Sequence, residues 1–367
     1  MEQKQRDSGF EMIRIISMLL IIGHHFAVHG GFVFPENEIT LNRLFLQWLS
    51  IGGKVGVNLF VMLSGYFMIT ADSLRISRAV KLWVQICFYS VIVYAVTALL
   101  GLADASALQW LRAVCPILSR QWWFATAYFF LYLGMPWMNR KLIPLTKAKY
   151  RTVLMLMGCF WYVLPICTWM PERIRDVLWF VFLYCLSGYL RLHGKKETGV
   201  LSVVLAVGIF LLTFVYCFRA LQYVPANHPD YATIYFQMYQ LPILLISVFL
   251  FRGFTGIRVR YSPVVNTVAS ASLGVYLLHD SDHIRYLLWR DWLHVSDHAA
   301  SQWMIPYALL VCGGLWLICT ALELLRKKTM DGAVDHVAVR VEQWLTRRMA
   351  MAGRVPSEQE TINNNVE

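Results

Sequence analysis

Long runs of hydrophobic residues recur along the chain, and each run is bounded by charged residues, Gly/Pro clusters or aromatic residues. A membrane-crossing α-helix needs about 20 predominantly apolar residues. The runs predict ten such helices, at about 10–29, 49–69, 82–101, 122–138, 152–170, 176–192, 199–218, 234–251, 263–280 and 302–322. The pattern therefore predicts an all-α integral membrane protein, a bundle of about ten transmembrane helices.

Composition narrows the class further. Hydrophobic residues make up 58% of the chain and charged residues only 15%, whereas soluble domains carry roughly 25% charged residues. Disordered, collagen-like and disulfide-rich secreted proteins are excluded. The net charge of +11 is explained by basic cytoplasmic loops beside anionic headgroups. We therefore expect membrane lipids, and not nucleic acid, as partners.

The distribution of Lys and Arg predicts the orientation. If the N-terminus is cytoplasmic, 24 of the 33 basic residues lie on the cytoplasmic side and nine lie outside or within spans. Basic residues concentrate in cytoplasmic loops, so both termini are expected to be cytoplasmic. The expected organisation is a cytoplasmic segment at 1–9, a ten-span membrane domain at 10–325 and a cytoplasmic tail at 326–367. The tail is basic and then polar, and its last 15 or so residues are expected to be disordered.

The first span contains ionisable residues, which are costly in a bilayer and therefore candidates for function. At 100° per residue, Arg14 and His25 lie within about 20° of one helix face, with an axial separation of about 16 Å. Two ordinary explanations stay open. Arg14 could extend to lipid phosphates while paired with Glu11, and His25 could be a neutral, hydrogen-bonded core residue.

His25 and His29 also have the i, i+4 spacing of a metal-binding pair. No third ligand is evident from the sequence, and the eight cysteines have no metal-binding or disulfide spacing. We therefore expect no metal. His24 points about 100° away from His25 and is expected to be structural.

The second span and the loop after it form another distinctive segment. Small residues in the span favour close helix packing; they are Gly52, Gly53, Gly56, Ser64 and Gly65. The loop carries Arg75, Arg78 and Lys81 at three-residue steps. These cations fit either a collar for lipid headgroups or a site for ligand phosphates.

Together these segments resemble the membrane-bound acyltransferase 3 family. The resemblance rests on Arg14-x10-His25, on VGVNLFVMLSGYFMI with its basic loop, on WWFATAYFFLYLGMPWMNR at 122–140 and on SLGVYLLHDS at 272–281. It covers residues from about 8 to 325. The resemblance implies a multi-pass enzyme of the bacterial inner membrane. Such an enzyme transfers an acyl group, usually acetyl from acetyl-CoA, to a hydroxyl of a cell-surface polysaccharide or its lipid-linked precursor.

The resemblance also suggests roles for individual residues. His25 is expected to be the general base, since histidine suits proton removal from a sugar hydroxyl, and Arg14 is expected to belong to the same active site. The phosphates of CoA are expected to bind Arg14, Arg75, Arg78 and Lys81. Asn58 and Ser64 are candidates for orienting the thioester carbonyl, and His279 and Asp280 for contacting the acceptor.

Two other classes stay open: a transporter or flippase for lipid-linked sugars, and a glycan polymerase. Neither would need CoA, so CoA release by the purified protein distinguishes them from an acyltransferase. The sequence specifies neither the acceptor, nor the choice between acetyl and another small acyl group, nor the oligomeric state.

Overall fold

The computed structural model describes residues 7–34, 39–71, 73–163, 170–194, 199–223, 236–257 and 259–351. Within these ranges the chain is helical and contains no β-strand. The α-helices are α1 Ser8–His29, α2 Leu41–Met68, α3 Ile76–Leu99, α4 Ala107–Val114, α5 Trp123–Leu142, α6 Lys147–Tyr162, α7 Glu172–His193, α8 Gly199–Tyr223, α9 Leu241–Gly256, α10 Pro263–Ala269, α11 Ser272–His279 and α12 Met304–Met351. A π-helical turn, Leu287–Trp292, and a 3₁₀ turn, Val295–His298, lie between α11 and α12.

The prediction of an all-α protein is confirmed for the described residues. Five helices are long and apolar enough to cross a bilayer: α1, α2, α3, α8 and α12. α9 is apolar but has only 16 residues. The total of ten spans and the cytoplasmic location of both termini stay predictions.

α2 begins earlier than its apolar run. α2 starts at Leu41 instead of about 49, and its first turn is capped by the Thr40 hydroxyl, which accepts from the Arg43 backbone N–H at 3.2 Å. Asn42 then donates to the carbonyls of Ala299 and Ser301, at 2.9 and 2.8 Å. Polar capping and tertiary contacts therefore extend the helix beyond its apolar run.

The predicted span at 263–280 is interrupted. α10 ends at Ala269 and α11 begins at Ser272. Between them, Lys327 of α12 donates to the Ser270 hydroxyl at 2.9 Å, and the Ser272 hydroxyl donates to the Ala269 carbonyl at 2.9 Å. Serine side chains compete for backbone hydrogen bonds in this way, which favours a break in the helix. The short α11 then ends at His279, beside α1.

α12 continues well past the predicted span at 302–322 and reaches Met351. The Lys81 ammonium lies 2.6 Å from the Asp335 carboxylate. The Glu342 carboxylate accepts from the Ser77 backbone N–H at 3.3 Å. These contacts hold the second half of α12 against the start of α3. The expected disordered end of the tail, after 351, lies outside the described residues.

α1 and α2 pack closely, as the small residues of the second span predict. A Cβ atom on Gly53 would lie 2.1 Å from the His24 Cβ atom, and one on Gly56 would lie 2.6 Å from the Ser17 carbonyl oxygen. Such distances leave no room for a side chain. α2 also packs against α7 and α9, so it lies at the centre of the bundle. This close approach fixes His24 and His25 relative to α2.

Candidate active site

A cavity of about 1140 Å³ lies at the end of the bundle where α1 ends and where α5 and α7 begin. Small-molecule pockets usually measure about 300–1000 Å³, so this cavity has room for a large ligand. His24 and His25 line it together with Lys54 of α2. Its aromatic lining includes Trp123, Phe124, Trp161, Tyr239 and Tyr276.

A chain of hydrogen bonds determines the protonation of His25. His279 Nδ1 lies 2.6 Å from the Val275 carbonyl oxygen, and a carbonyl can only accept, so Nδ1 carries a proton. The Nε2 atom of a neutral His279 is then an acceptor, and it lies 2.9 Å from His25 Nδ1. His25 must donate from Nδ1. The lone pair of His25 is therefore on Nε2, where it is available as a base.

Asp280 and Arg285 complete the polar cluster. Arg285 Nε donates to Asp280 Oδ1 at 2.7 Å, and Nη2 donates to the Asp280 carbonyl oxygen at 3.0 Å. Asp280 Oδ1 also lies 3.7 Å from His25 Nδ1 and 3.6 Å from His29 Nε2. At these distances the buried carboxylate favours a positive charge on either imidazole, whereas the Arg285 guanidinium bound to it opposes one.

One atom each of His25, His29 and Asp280 lies within 4.8 Å of the others, an arrangement that could hold a metal ion. Asp280 is thus a candidate third ligand beside His25 and His29. It lies outside α1, so the spacing of residues along α1 could not indicate it. The carboxylate is bound to the Arg285 guanidinium, however, and His25 Nδ1 is bound to His279. Because the Asp280 oxygen and His25 Nδ1 already have these partners, the arrangement favours a hydrogen-bonded cluster. That no metal is required stays a prediction.

Arg14 lies at the other end of α1 and does not line the cavity. Its Nη1 atom donates to both carboxylate oxygens of Glu11, at 2.5 and 2.6 Å. This is the pairing that the ordinary explanation of Arg14 anticipated. The continuous helix places Arg14 and His25 on one stripe without bringing them into contact.

Arg75, Arg78 and Lys81, which we call the basic cluster, also lie at the end of the bundle opposite the cavity, at the start of α3. Arg75 and Arg78 are exposed, and neither has a side-chain hydrogen bond or ion pair to another described residue. Lys81 is paired with Asp335. Two free guanidinium groups are therefore available at this end for an anion.

Asn58 and Ser64 are engaged in packing. The Asn58 amide donates to the Met238 carbonyl at 2.8 Å and accepts from Trp179 Nε1 at 2.8 Å. Ser64 donates to the Phe60 carbonyl at 3.0 Å within the same helix. Neither residue lines the cavity. Their proposed contact with the thioester stays a prediction.

Four charged residues that line the cavity were not identified from the sequence: Arg120, Glu172, Arg175 and Asp176. Arg120 Nη2 lies 2.9 Å from the Asp176 carboxylate, and Arg175 lies 3.6 Å from the exposed carboxylate of Glu172. These residues lie at loops and helix starts, where charge is usual and carries no signal. Lys54 is different, because a lysine inside an apolar span is itself a signal.

A family model described as an acyltransferase domain, the acyltransferase 3 model, matches residues 7–323. The matched range contains the entire cavity lining and the basic cluster at the start of α3. Neither the curated proteins nor the solved structures include a match to the chain.

Proposed function

The chain belongs to the acyltransferase 3 family, and from this premise we propose the reaction that it catalyses. The protein transfers an acyl group, acetyl in the first instance, from acyl-CoA to a hydroxyl of a cell-surface polysaccharide or of its lipid-linked precursor. Its location is the bacterial inner membrane. The observation that carries this proposal is the unprotonated Nε2 atom of His25 beside a large cavity.

His25 acts as the general base in this reaction. As the hydroxyl oxygen of the acceptor attacks the thioester carbon, its proton moves to His25 Nε2. The carbon–sulfur bond then breaks, the CoA thiolate leaves, and it takes up the proton from His25. The products are an ester and free CoA, and the histidine returns to its starting state.

The surroundings of His25 orient its ring and keep the neutral imidazole ready to act as a base. The bond from Nδ1 to His279 fixes the ring and leaves Nε2 free for the acceptor proton. When the imidazole becomes charged, the Asp280 carboxylate at 3.7 Å stabilises it. Arg285 binds the same carboxylate and holds it in place. This is the logic of a base oriented by a third group.

The donor phosphates bind at the end of the bundle opposite the cavity, where Arg75 and Arg78 are exposed. Lys81 at the start of α3 and Arg14 near the start of α1 contribute further positive charge at this end. Guanidinium groups suit phosphate because they offer several donors in a fixed geometry. The flexible arm of CoA then extends along the bundle toward His25, over the axial separation of about 16 Å between Arg14 and His25.

The test is CoA release by the purified protein in the presence of acetyl-CoA and a glycan extract. His25→Ala is expected to reduce turnover by about 10²–10⁴-fold. His24→Ala is the matched comparison, because His24 Nδ1 is bound to the Ser50 carbonyl at 2.7 Å and has no part in the proton transfer. Full activity of His25→Ala would exclude the general-base mechanism.

The same assay separates the function classes. A transporter, flippase or polymerase of lipid-linked glycans would release no CoA under any of these conditions. Analysis of surface glycans for ester-linked acyl groups, with and without the protein, then identifies the acceptor and the acyl group.

A further inference from the structure

Lys54 is a cation in the interior of a membrane helix. It lies 13 residues from the start of α2 and 14 from its end, or about 20 Å from either terminus. The apolar run of this helix begins at about 49, so Lys54 lies about 8 Å inside that run. Intramembrane charges face cavities and generally mark ligand or ion sites. Lys54 lines the cavity that also contains His25.

The other cations of the cavity wall are paired. They are Arg120 with Asp176, Arg175 with Glu172, and Arg285 with Asp280 and Asp282. Lys54 has no hydrogen bond or ion pair to any residue that the structure describes. The nearest carboxylates, Asp176 and Glu172, attract the Lys54 ammonium group without pairing with it, since they pair with Arg120 and Arg175. The three donors of this ammonium group therefore have no acceptor among the described residues.

The backbone holds this ammonium group in place. Gly53 packs against the His24 side chain, and Gly56 packs against the Ser17 carbonyl. Because these contacts fix α2 against α1, Lys54 cannot turn away from the cavity by a rotation of its helix. Lys54 and His25 are thus held at one cavity by the same pair of helices.

We propose that Lys54 is an anion subsite that binds a negatively charged group of the acceptor. This proposal rests on the proposed function, which places the acceptor in the cavity. The group is a carboxylate or a phosphate, which belongs either to an acidic sugar or to a phosphate-linked lipid carrier. An ammonium group is a compact point charge that binds both anions.

The geometry gives the subsite a role in selecting the acceptor. The anion at Lys54 fixes one end of the acceptor, and the aromatic wall formed by Trp123, Trp161 and Tyr239 borders the remainder. The hydroxyl to be acylated is then directed to His25. A neutral acceptor would leave the buried ammonium group unpaired, so it would bind more weakly.

The experiment measures binding to the full chain in lipid nanodiscs without acyl-CoA. The probes are two matched pairs: methyl glucuronide with methyl glucoside, and farnesyl pyrophosphate with farnesol. The variants are Lys54→Met, which keeps the length and removes the charge, and Lys54→Arg, which keeps the charge. Lys149→Met is the control, since Lys149 is an exposed lysine at the start of α6. Removing a charge from a membrane helix should not prevent insertion.

At least one anionic probe is expected to bind the wild type more tightly than its neutral counterpart. Lys54→Met should weaken that binding by about 10- to 100-fold, Lys54→Arg should preserve most of it, and Lys149→Met should leave it unchanged. Preference for the glucuronide alone identifies an acidic sugar, and preference for the pyrophosphate alone identifies a lipid carrier. If neither anion is preferred, or if Lys54→Met keeps the preference, the subsite does not exist.

These outcomes are independent of the chemistry. Failure of CoA release would overturn the proposed function and leave the binding result intact. A normal His25-dependent CoA release without anion preference would overturn the subsite alone.

Discussion

His279 is the residue that sets the tautomer of His25, because its Nε2 atom accepts the His25 Nδ1 proton. In His279→Ala the proton of His25 is free to move to the other nitrogen, so the base is lost in part of the molecules. Turnover is expected to fall by about 10- to 100-fold. This factor corresponds to the free energy of one hydrogen bond to a charged group. Separate measurement of kcat and KM for acetyl-CoA checks this, since only kcat should change.

The matched control is His283→Ala. His283 follows α11 in the chain but packs against the Tyr94 ring, at 5.0 Å between ring centroids, and not against His25. A loss of kcat in His283→Ala as large as that in His279→Ala would show that any disturbance of this segment reduces activity. The tautomer argument would then fail.

Glu323 is a second buried charge, and its role is structural. Its carboxylate accepts two bonds from Arg326 at 2.8 Å, one from Gln85 at 3.0 Å and one from the Tyr89 hydroxyl. Glu323→Ala leaves the largely buried Arg326 with only the exposed Asp331 carboxylate, at 3.2 Å, as an ion-pair partner. Such a loss is expected to cost about 3–5 kcal/mol of stability, measured as a lower thermal unfolding temperature in detergent.

The comparison for Glu323→Ala is Glu342→Ala on the same helix. Glu342 accepts one bond from the Ser77 backbone N–H at 3.3 Å, so its loss should cost only about 1 kcal/mol. Equal unfolding temperatures for the two variants would contradict the role given to Glu323.

At this scale the sequence identified some residues and missed their partners. His25 could be found because an ionisable residue in an apolar run is visible locally. Its bond to His279 joins positions 254 residues apart, and no local pattern encodes such a contact. His279 is bound to His25 and is not among the residues that line the cavity; its contact with the acceptor stays a prediction. Lys54 could also be found as a lysine in an apolar run. No local pattern shows that it forms no hydrogen bond or ion pair to a described residue.

Among the elements, the α1–α2 pair depends on glycines that no other residue can replace. Gly56→Ala places a Cβ atom 2.6 Å from the Ser17 carbonyl oxygen, which is backbone and cannot move aside. The helices must separate, so stability is expected to fall by about 1–3 kcal/mol and activity to fall with it. Thermal unfolding and CoA release measured on the same preparation check this.

Gly134→Ala in α5 is the control, because a Cβ atom there has no atom within 4 Å. Alanine also favours a helix over glycine by up to about 1 kcal/mol. An unchanged or slightly higher unfolding temperature is therefore expected. If Gly56→Ala is as stable as Gly134→Ala, the close contact does not limit the packing of α1 on α2.

Hydropathy predicted most elements but not where they begin, break or end. The first turns of α2 are polar, and they are helical because of the Thr40 cap and the Asn42 contacts. The break before Ser272 lies within a run that looks continuous, and the end of α12 lies far beyond its apolar run. Capping, serine side chains and contacts with distant residues decided these boundaries.

For the whole molecule, the cavity and the basic cluster lie at opposite ends of the bundle. The cavity with His25 and Lys54 lies at the end of the bundle where α1 ends. The basic cluster lies at the other end, where α3 begins and α12 packs against it through Asp335. If both termini are cytoplasmic, the basic cluster faces the cytoplasm, where acyl-CoA is found, and the cavity faces outward. The orientation therefore decides whether donor and acceptor approach from opposite sides.

Reporter fusions test this orientation. Fusions in the loop at 143–146 and after Met351 are expected to be cytoplasmic, and fusions in the loops at 100–106 and 299–303 extracytoplasmic. The physical reason is the division of basic residues, 24 of 33 on the expected cytoplasmic side. An extracytoplasmic signal at 143–146 would reverse the bundle and place Arg75 and Arg78 away from the CoA pool. Because 143–146 follows α5, whose first residues line the cavity, the same fusion also shows on which side of the membrane the acceptor binds.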